Sequence, residues 1–152
     1  MVTLVRKNSV TQGKEELHMA LIIDLKPGEK ILIGTAVITN DSQRTRLHIS
    51  GDAAILREKD VMKEEEANSP SKRIYFLVQC MYLASDPKIY FDKYFGLIRE
   101  MQLAAPTTSL FFMKINDMIL EGSYYKAMKE ARELIKHEEE LIGNVTRQSS
   151  AE

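Results

Sequence analysis

Between Ala20 and Glu58 the apolar residues occur in short runs separated by turn residues. Runs rich in Ile and Val that end at Pro-Gly, Asn-Asp or Gly-Asp pairs are typical of short antiparallel strands. The pattern therefore predicts five strands, which lie in the runs ALIIDL, KILIG, TAVIT, RTRLHIS and AAILRE.

One of these runs alternates strictly between apolar and polar residues. In TRLHIS, Leu47 and Ile49 fall on one face, while Arg46, His48 and Ser50 fall on the other, because successive residues of a strand point to opposite sides. We expect a sheet with one buried face and one face in contact with water.

After residue 69 the apolar period becomes helical. Ser and Asp cap helix N-termini, Pro is tolerated at the first helical position, and Gly often ends a helix. Such signals precede four segments: Ser69-Pro70, Asp86-Pro87, Pro106 with two threonines, and Gly122-Ser123. The last helix is expected to stop at Gly143-Asn144. The predicted class is α+β, a small antiparallel five-stranded sheet followed by a helical region of about four helices.

Changes in composition give the predicted domain boundaries. The stretch REKDVMKEEEANSPSKR is highly charged and contains Pro, which indicates a hinge. The predicted parts are a flexible N-terminal extension or misassigned start at 1–18, a small β-domain at 19–61, a hinge at 62–71, an α-helical region at 72–143, and a flexible tail at 144–152.

Composition narrows the class of protein. Of the 152 residues, 44% are hydrophobic and 28% are charged, close to the average of soluble globular domains, and the formal net charge is −1. No global positive field would attract nucleic acid or an acidic membrane, so any polyanion site must be local. The single cysteine, Cys80, excludes an intramolecular disulfide. No apolar run is long enough for a membrane span, and residues 1–18 lack the apolar stretch of a signal peptide, so we expect a soluble protein. The single cysteine fits a reducing cytoplasm.

The aromatic residues are confined to one half of the chain. The six Tyr and five Phe residues all lie between Tyr75 and Tyr125. The helical region should therefore hold the larger core, and the aliphatic sheet needs a partner, either those helices or a second copy of itself. Adjacent aromatic pairs on one helix cannot both face inward, which leaves aromatic surface available for a partner.

Basic residues of the predicted sheet and of the first helix form the candidate binding site. Arg44, Arg46 and His48 alternate onto one strand face. The other candidates are Arg57 and Lys59 after the last strand and Lys72 and Arg73 in the first helix. Such cations neutralise RNA phosphates, and without aromatic residues the sheet must recognise RNA through Arg side chains and backbone groups. Residues 19–60 also contain as many acids as bases, so a solvated face with ion pairs fits equally well.

The order of several motifs resembles a known family. The stretches LKPGE, ITND, GDAAILREKD and SPSKRIYFLVQ occur in the order and at the spacing of the FlbT family of flagellum biosynthesis repressors from alphaproteobacteria. The resemblance extends from Met19 to about Leu141. The five predicted strands are also loosely similar to the CsrA/RsmA regulators, in which Arg57 would match an RNA-contacting arginine.

The FlbT resemblance implies a post-transcriptional repressor in bacterial flagellum biogenesis. Such a protein would bind the 5′ untranslated region of flagellin mRNA and promote its degradation or block its translation. The implied partners are the flagellin mRNA leader and FlaF. A homodimer is also expected, in which the sheet contacts the leader and the helical region provides dimerisation or partner docking. The alternative is a protein–protein adaptor that acts through FlaF or flagellin and associates with RNA only indirectly.

Enzymatic chemistry has little support in the sequence. Cys80 lies near the apolar Val78 and Met81 of a predicted core helix, and His48 and His137 lie on different elements. The acidic runs 64–66 and 138–140 lack metal-ligand spacing, so we expect them to lie on solvated faces. No Gly-rich phosphate loop is present. We expect no catalysis, metal, cofactor, small-molecule substrate or membrane contact.

Overall fold

The computed structural model describes residues 2–8 and 17–151. In this part of the chain, antiparallel strands precede four α-helices, which confirms the α+β class. The strands are β1 (Val2–Asn8), β2 (Leu17–Leu25), β3 (Lys30–Ile33), β4 (Ala36–Thr39), β5 (Thr45–Ile49) and β6 (Ile55–Arg57). The helices are α1 (Pro70–Leu83), α2 (Phe91–Ala104), α3 (Ser109–Leu120) and α4 (Tyr124–Ser149). The chain divides into two compact units, 1–61 and 62–152, called here the sheet unit and the helical unit.

The strands of the sheet unit form two antiparallel sheets. Their orders are β1-β2-β5 and β4-β3-β6. The five strands predicted between residues 19 and 61 correspond to β2 through β6, but they are shared between the two sheets. Two short sheets can cover each other's aliphatic faces, which a single small sheet cannot do.

The predicted N-terminal extension, 1–18, falls in part outside the described residues, which exclude 1 and 9–16. In its described part, β1 pairs antiparallel with β2, from Val2 opposite Ile23 to Asn8 opposite Leu17.

The alternation predicted in β5 is confirmed. Leu47 and Ile49 pack against the aliphatic core of the sheet unit, whose centre is formed by Ile23, Leu25 and Ile31. Each of these three residues is almost completely buried. The core joins β2 and β5 of one sheet to β3 of the other, so the two sheets are held together by burial of apolar side chains.

The Asn40 side chain connects turns of the sheet unit. Its Nδ2 donates to the carbonyl oxygens of Leu25 (3.1 Å), Lys26 (2.9 Å) and Gln43 (2.6 Å). The turn after β2 has Pro27 followed by Gly28 at a φ of 74°, the positive value that a type II turn requires at this position. Asn40 thus fixes the connection from β2 to β3 relative to the connection from β4 to β5.

The core of the helical unit lies where α4 packs against α1 and α3. Arg132 on α4 donates to the Tyr75 hydroxyl at 2.9 Å. Glu138, which was predicted to lie on a solvated face, instead accepts from Ser71 N at 3.0 Å and Ser71 Oγ at 2.8 Å. This carboxylate satisfies a free N–H at the start of α1, where the helix dipole favours negative charge.

The segment predicted as a hinge, 62–71, has fixed contacts within the helical unit. The Gln79 side chain is 5% exposed; its Oε1 accepts from Met62 N at 2.8 Å, and its Nε2 donates to Met62 O at 2.9 Å. Because both polar atoms of the amide are paired, this contact anchors the start of the segment to α1.

The predicted end of the last helix at Gly143 is wrong. α4 continues to Ser149. Gly122 ends α3 with a positive φ of 75°, whereas Gly143 takes a helical conformation, at a cost of about 1 kcal/mol relative to Ala. The Thr146 hydroxyl donates to Ile142 O at 3.0 Å within this added part of the helix.

We predict that Asn40→Ala lowers the local free energy of unfolding of the sheet unit by about 1–3 kcal/mol, because the hydrogen bonds from Asn40 to three carbonyl groups are lost. Amide hydrogen exchange of β2 and β5 measures the effect. Asn144→Ala, at an exposed position of α4, is the matched control and should leave these amides unchanged. Equal protection in Asn40→Ala and the unmodified chain would contradict the role given to Asn40.

Candidate nucleic-acid interface

Arg46 lies on the exposed face of β5 and forms an ion pair across the sheet. The register places it directly opposite Asp24 of β2. Its Nε donates to Asp24 Oδ1 at 2.9 Å, and its side chain remains 64% exposed. An exposed pair of this kind contributes little to stability, because water screens it. Arg46 can therefore exchange Asp24 for another anion at small cost.

The electrostatics of Asp24 reflect this pairing. The hydrogen bond from Arg46 holds the pKa of Asp24 below its ordinary value, and the charge of Arg44 acts in the same direction. The same contact raises the pKa of Arg46. Arg44 precedes β5 and is exposed, so the two arginines are neighbours around one carboxylate.

Arg57 has a different environment from Arg46. Its Nη2 donates to the main-chain oxygen of Asp24 at 3.2 Å, and its Nη1 to Glu29 Oε1 at 3.3 Å. The side chain is only 19% exposed. Arg57 extends from β6 to the end of β2, so it joins the two sheets. Its predicted contact with RNA stays a prediction.

The remaining candidates lie in three places. His48 is exposed on β5, opposite Ile22, on the same face as Arg46. Lys59 is exposed in the short 3₁₀ turn Glu58–Asp60, between two acids. Lys72 and Arg73 belong to the first turn of α1, in the helical unit. Arg44, Arg46 and His48 thus lie on or beside β5, and Arg57 reaches the main chain of Asp24 from β6. Lys72 and Arg73 form a separate pair.

Sequence reasoning allowed for ion pairs on this face but did not identify the acids, which are Asp24 for Arg46 and Glu29 for Arg57. Asp24 falls at an outward position of the run ALIIDL, so its side chain was predictably exposed. The pairing of β2 with β5, and hence the contact with Arg46, depends on a strand order that the local pattern does not encode.

Arg73 borders a groove in the helical unit. The groove has a volume of about 550 Å³, and Phe76, Leu77 and Leu97 supply its apolar lining. Gly96 of α2 also lines it, and a Cβ added at that position would meet no atom within 4 Å. The groove is open above the α2 backbone, and its mixed charges give it no strong preference for an anion.

Cys80 is half-buried in α1. Burial raises the pKa of its thiol, and the negative charge of Glu64 adds to this effect. A thiol whose pKa is raised is a weak nucleophile, because the thiolate is the reactive form. The environment of Cys80 therefore favours packing over reaction.

The apolar surface left on the helical unit is mainly aliphatic. In the pairs Tyr94-Phe95 and Phe111-Phe112, one ring is fully buried and the other is half-buried. Tyr125 is the exposed aromatic among the described residues. In the same part of the chain, no helix combines the length and apolar character needed to cross a bilayer.

Together these features define a two-unit α+β protein with an exposed basic strand in its sheet unit. Residues 21–142 match the family model described as flagellar protein FlbT, and the chain belongs to this family. It is similar to the probable flagellum biosynthesis repressor protein FlbT of Rhodopseudomonas palustris (strain TIE-1), with 50% identity over 82% of this chain and 98% of the relative.

A second relative has a lower identity but a similar extent. The flagellum biosynthesis repressor protein FlbT of Caulobacter vibrioides (strain ATCC 19089 / CIP 103742 / CB 15) is 33% identical over 88% of this chain and 96% of its own length. No solved structure matches the chain, so the likeness of the sheet to CsrA/RsmA stays a prediction.

We predict that Arg46→Ala raises the pKa of Asp24 toward its ordinary value, whereas Arg44→Ala raises it less, because Arg46 supplies both the hydrogen bond and the larger charge effect. NMR titration of the Asp24 carboxyl carbon measures both shifts. Because the folded pKa is lowered, the pair stabilises the fold at higher pH, and this contribution is lost as pH falls through the folded pKa. An unchanged pKa in Arg46→Ala would exclude the pair in solution.

Proposed function

We propose that this protein is a cytoplasmic post-transcriptional repressor of flagellin synthesis. It binds the 5′ untranslated region of flagellin mRNA and either blocks translation or promotes degradation. Membership of the FlbT family supports the flagellar role, and the names of the relatives support repression. The observation that carries the RNA-binding part is the exposed, exchangeable guanidinium of Arg46 beside Arg44 and His48.

The chemistry of recognition follows from the exposed face of β5. The contact with Asp24 uses the Nε–H of Arg46, and a guanidinium carries five N–H donors in a planar fork. A phosphate can accept two of these donors side by side. Arg46 and His48 are two positions apart, about 6.7 Å along β5, so successive groups of an extended RNA strand can be contacted in turn.

Asp24 opposes this binding and so limits it. The carboxylate competes with phosphate for Arg46 and repels the RNA backbone. The affinity should thus rise when Asp24 loses its charge and fall when the arginines are removed. A general loss of structure would not raise the affinity, so the opposite changes indicate a direct contact.

We predict that Arg44→Ala with Arg46→Ala weakens binding to a flagellin leader RNA and reduces the slope of log K against log salt by about one for each phosphate that the protein no longer neutralises. Asp24→Asn should increase the affinity. Fluorescence anisotropy with labelled leader RNA at several salt concentrations measures both effects.

The matched control is Arg99→Ala with Arg147→Ala, two exposed arginines of the helical unit. This variant has the same net charge as the first and should retain the affinity. Arg57 is left unchanged because it joins the sheets. Equal loss in both double variants would show that overall charge, rather than β5, determines binding.

The groove of the helical unit favours a second candidate function, an adaptor that acts through FlaF or flagellin. A partner side chain or helix could occupy the apolar lining formed by Phe76, Leu77 and Leu97. RNA association would then be indirect. In a gel shift, the purified protein alone would leave the leader RNA free, and added FlaF would restore a complex.

We predict that, if the adaptor operates, Gly96→Leu abolishes the FlaF-dependent complex by filling the groove. Gly143→Leu is the matched control, because both are half-buried helical glycines at which a Cβ meets no atom within 4 Å. Replacing a helical glycine generally favours the helix, so neither variant should unfold. A shift by the protein alone, unaffected by Gly96→Leu, would reject the adaptor.

A further inference from the structure

Strand β4 exposes apolar side chains although it belongs to a sheet. All of its residues, Ala36–Thr39, are exposed. Val37 is 65% exposed and Ile38 is 39% exposed. Within the described residues, β4 has β3 on one side and lies at the edge of the order β4-β3-β6. Its outer edge therefore combines free backbone groups with apolar side chains.

The register determines which backbone groups face outward. Asn40 N donates to Glu29 O at 2.9 Å, so this residue pair is hydrogen-bonded across the β3–β4 hairpin. Bonded and non-bonded pairs alternate in an antiparallel ladder. Ile38 and Ala36 accordingly bond to β3, while Val37 and Thr39 direct their N–H and C=O groups away from it.

The sequence of this edge lacks the features that protect exposed strands. Natural edges carry charged residues, proline or bulges that prevent pairing with another chain. The other described edge strand with an exposed face, β5, has Arg46 and His48. The stretch from Thr35 to Thr39, TAVIT, has no charge and no proline. Its β-branched residues are those that favour strand pairing.

We propose that β4 is a dimerisation edge, where two copies of this chain pair antiparallel about a two-fold axis at Val37. The two β4-β3-β6 sheets then become one continuous six-stranded sheet. Because the axis passes through Val37, this residue lies opposite the partner's Val37, and Thr35 lies opposite the partner's Thr39. Val37 and Thr39 are the residues of β4 whose backbone groups face outward, so this pairing gives both of them a partner strand.

Self-pairing is the arrangement that the edge itself specifies. A two-fold interface places the same patch on both subunits, so the patch must complement itself. TAVIT does so, because it begins and ends with Thr and brings no like charges together. Thr–Thr and aliphatic cross-strand pairs are favourable. An RNA strand would find no cation here, and a charged peptide would find no opposite charge.

The first test compares two valines of equal exposure. Val37→Lys places two like charges at the axis, whereas Val145→Lys makes the same change on α4, where Val145 is 67% exposed. Analytical ultracentrifugation over a range of concentrations should show a dimer for the unmodified chain and for Val145→Lys. Val37→Lys should be monomeric, with an unchanged circular dichroism spectrum showing that it is folded.

The second test examines the register by disulfide cross-linking in a Cys80→Ala background. At Val37→Cys the two Cα atoms of a bonded pair lie about 5.5 Å apart, within disulfide range. At Ile38→Cys the offset of two residues separates them by roughly 8 Å, beyond that range. Oxidation should therefore give a covalent dimer with Val37→Cys and little with Ile38→Cys.

The proposal is overturned by any of three results. These are a monomeric unmodified chain at high concentration, a dimer that survives Val37→Lys, and equal cross-linking at the two cysteine positions. A dimer that only Val145→Lys disrupts would assign the interface to α4. If the unmodified chain binds another protein and Val37→Lys abolishes only that complex, the edge belongs to that protein and the self-pairing proposal is wrong.

Discussion

Asp24 contacts arginines of both sheets, so the alignment of the sheets and the candidate binding face of β5 both depend on it. Its carboxylate accepts from Arg46 of β5, and its main-chain oxygen accepts from Arg57 of β6. The first contact is exposed, and the second is half-buried. A single position therefore helps to align strands of both sheets while it holds an arginine near solvent.

Arg46 and Arg57 look alike in the sequence, but they differ in burial and therefore in role. An exposed arginine loses little when its acid is replaced by a phosphate, because water already weakens the pair. A half-buried arginine that bonds a carbonyl group and a carboxylate leaves those groups unsatisfied if it moves. Arg46 is accordingly suited to binding, and Arg57 to support of the fold. The order of the strands, rather than the kind of residue, produces this division.

Local signals explain which features could be predicted. The alternation in β5 and the Ser69 cap of α1 depend on neighbouring residues, so the sequence predicted them. The division into two sheets depends on the pairing of β2 with β5 across an intervening hairpin, which no local pattern contains. At Gly143, by contrast, a local signal was misleading, because it predicted a helix end that the structure does not have. Glycine ends a helix when it takes a positive φ, as Gly122 does, whereas α4 continues past Gly143 to Ser149.

The confinement of all aromatic residues to positions 75–125 gives the two units different optical properties. The chain has no tryptophan, so its near-ultraviolet absorption and intrinsic fluorescence come mainly from tyrosines of the helical unit. The sheet unit contributes almost no signal in this range. Near-ultraviolet spectra consequently follow one unit without interference from the other, and a probe introduced into the sheet unit would have no background from native aromatic side chains there.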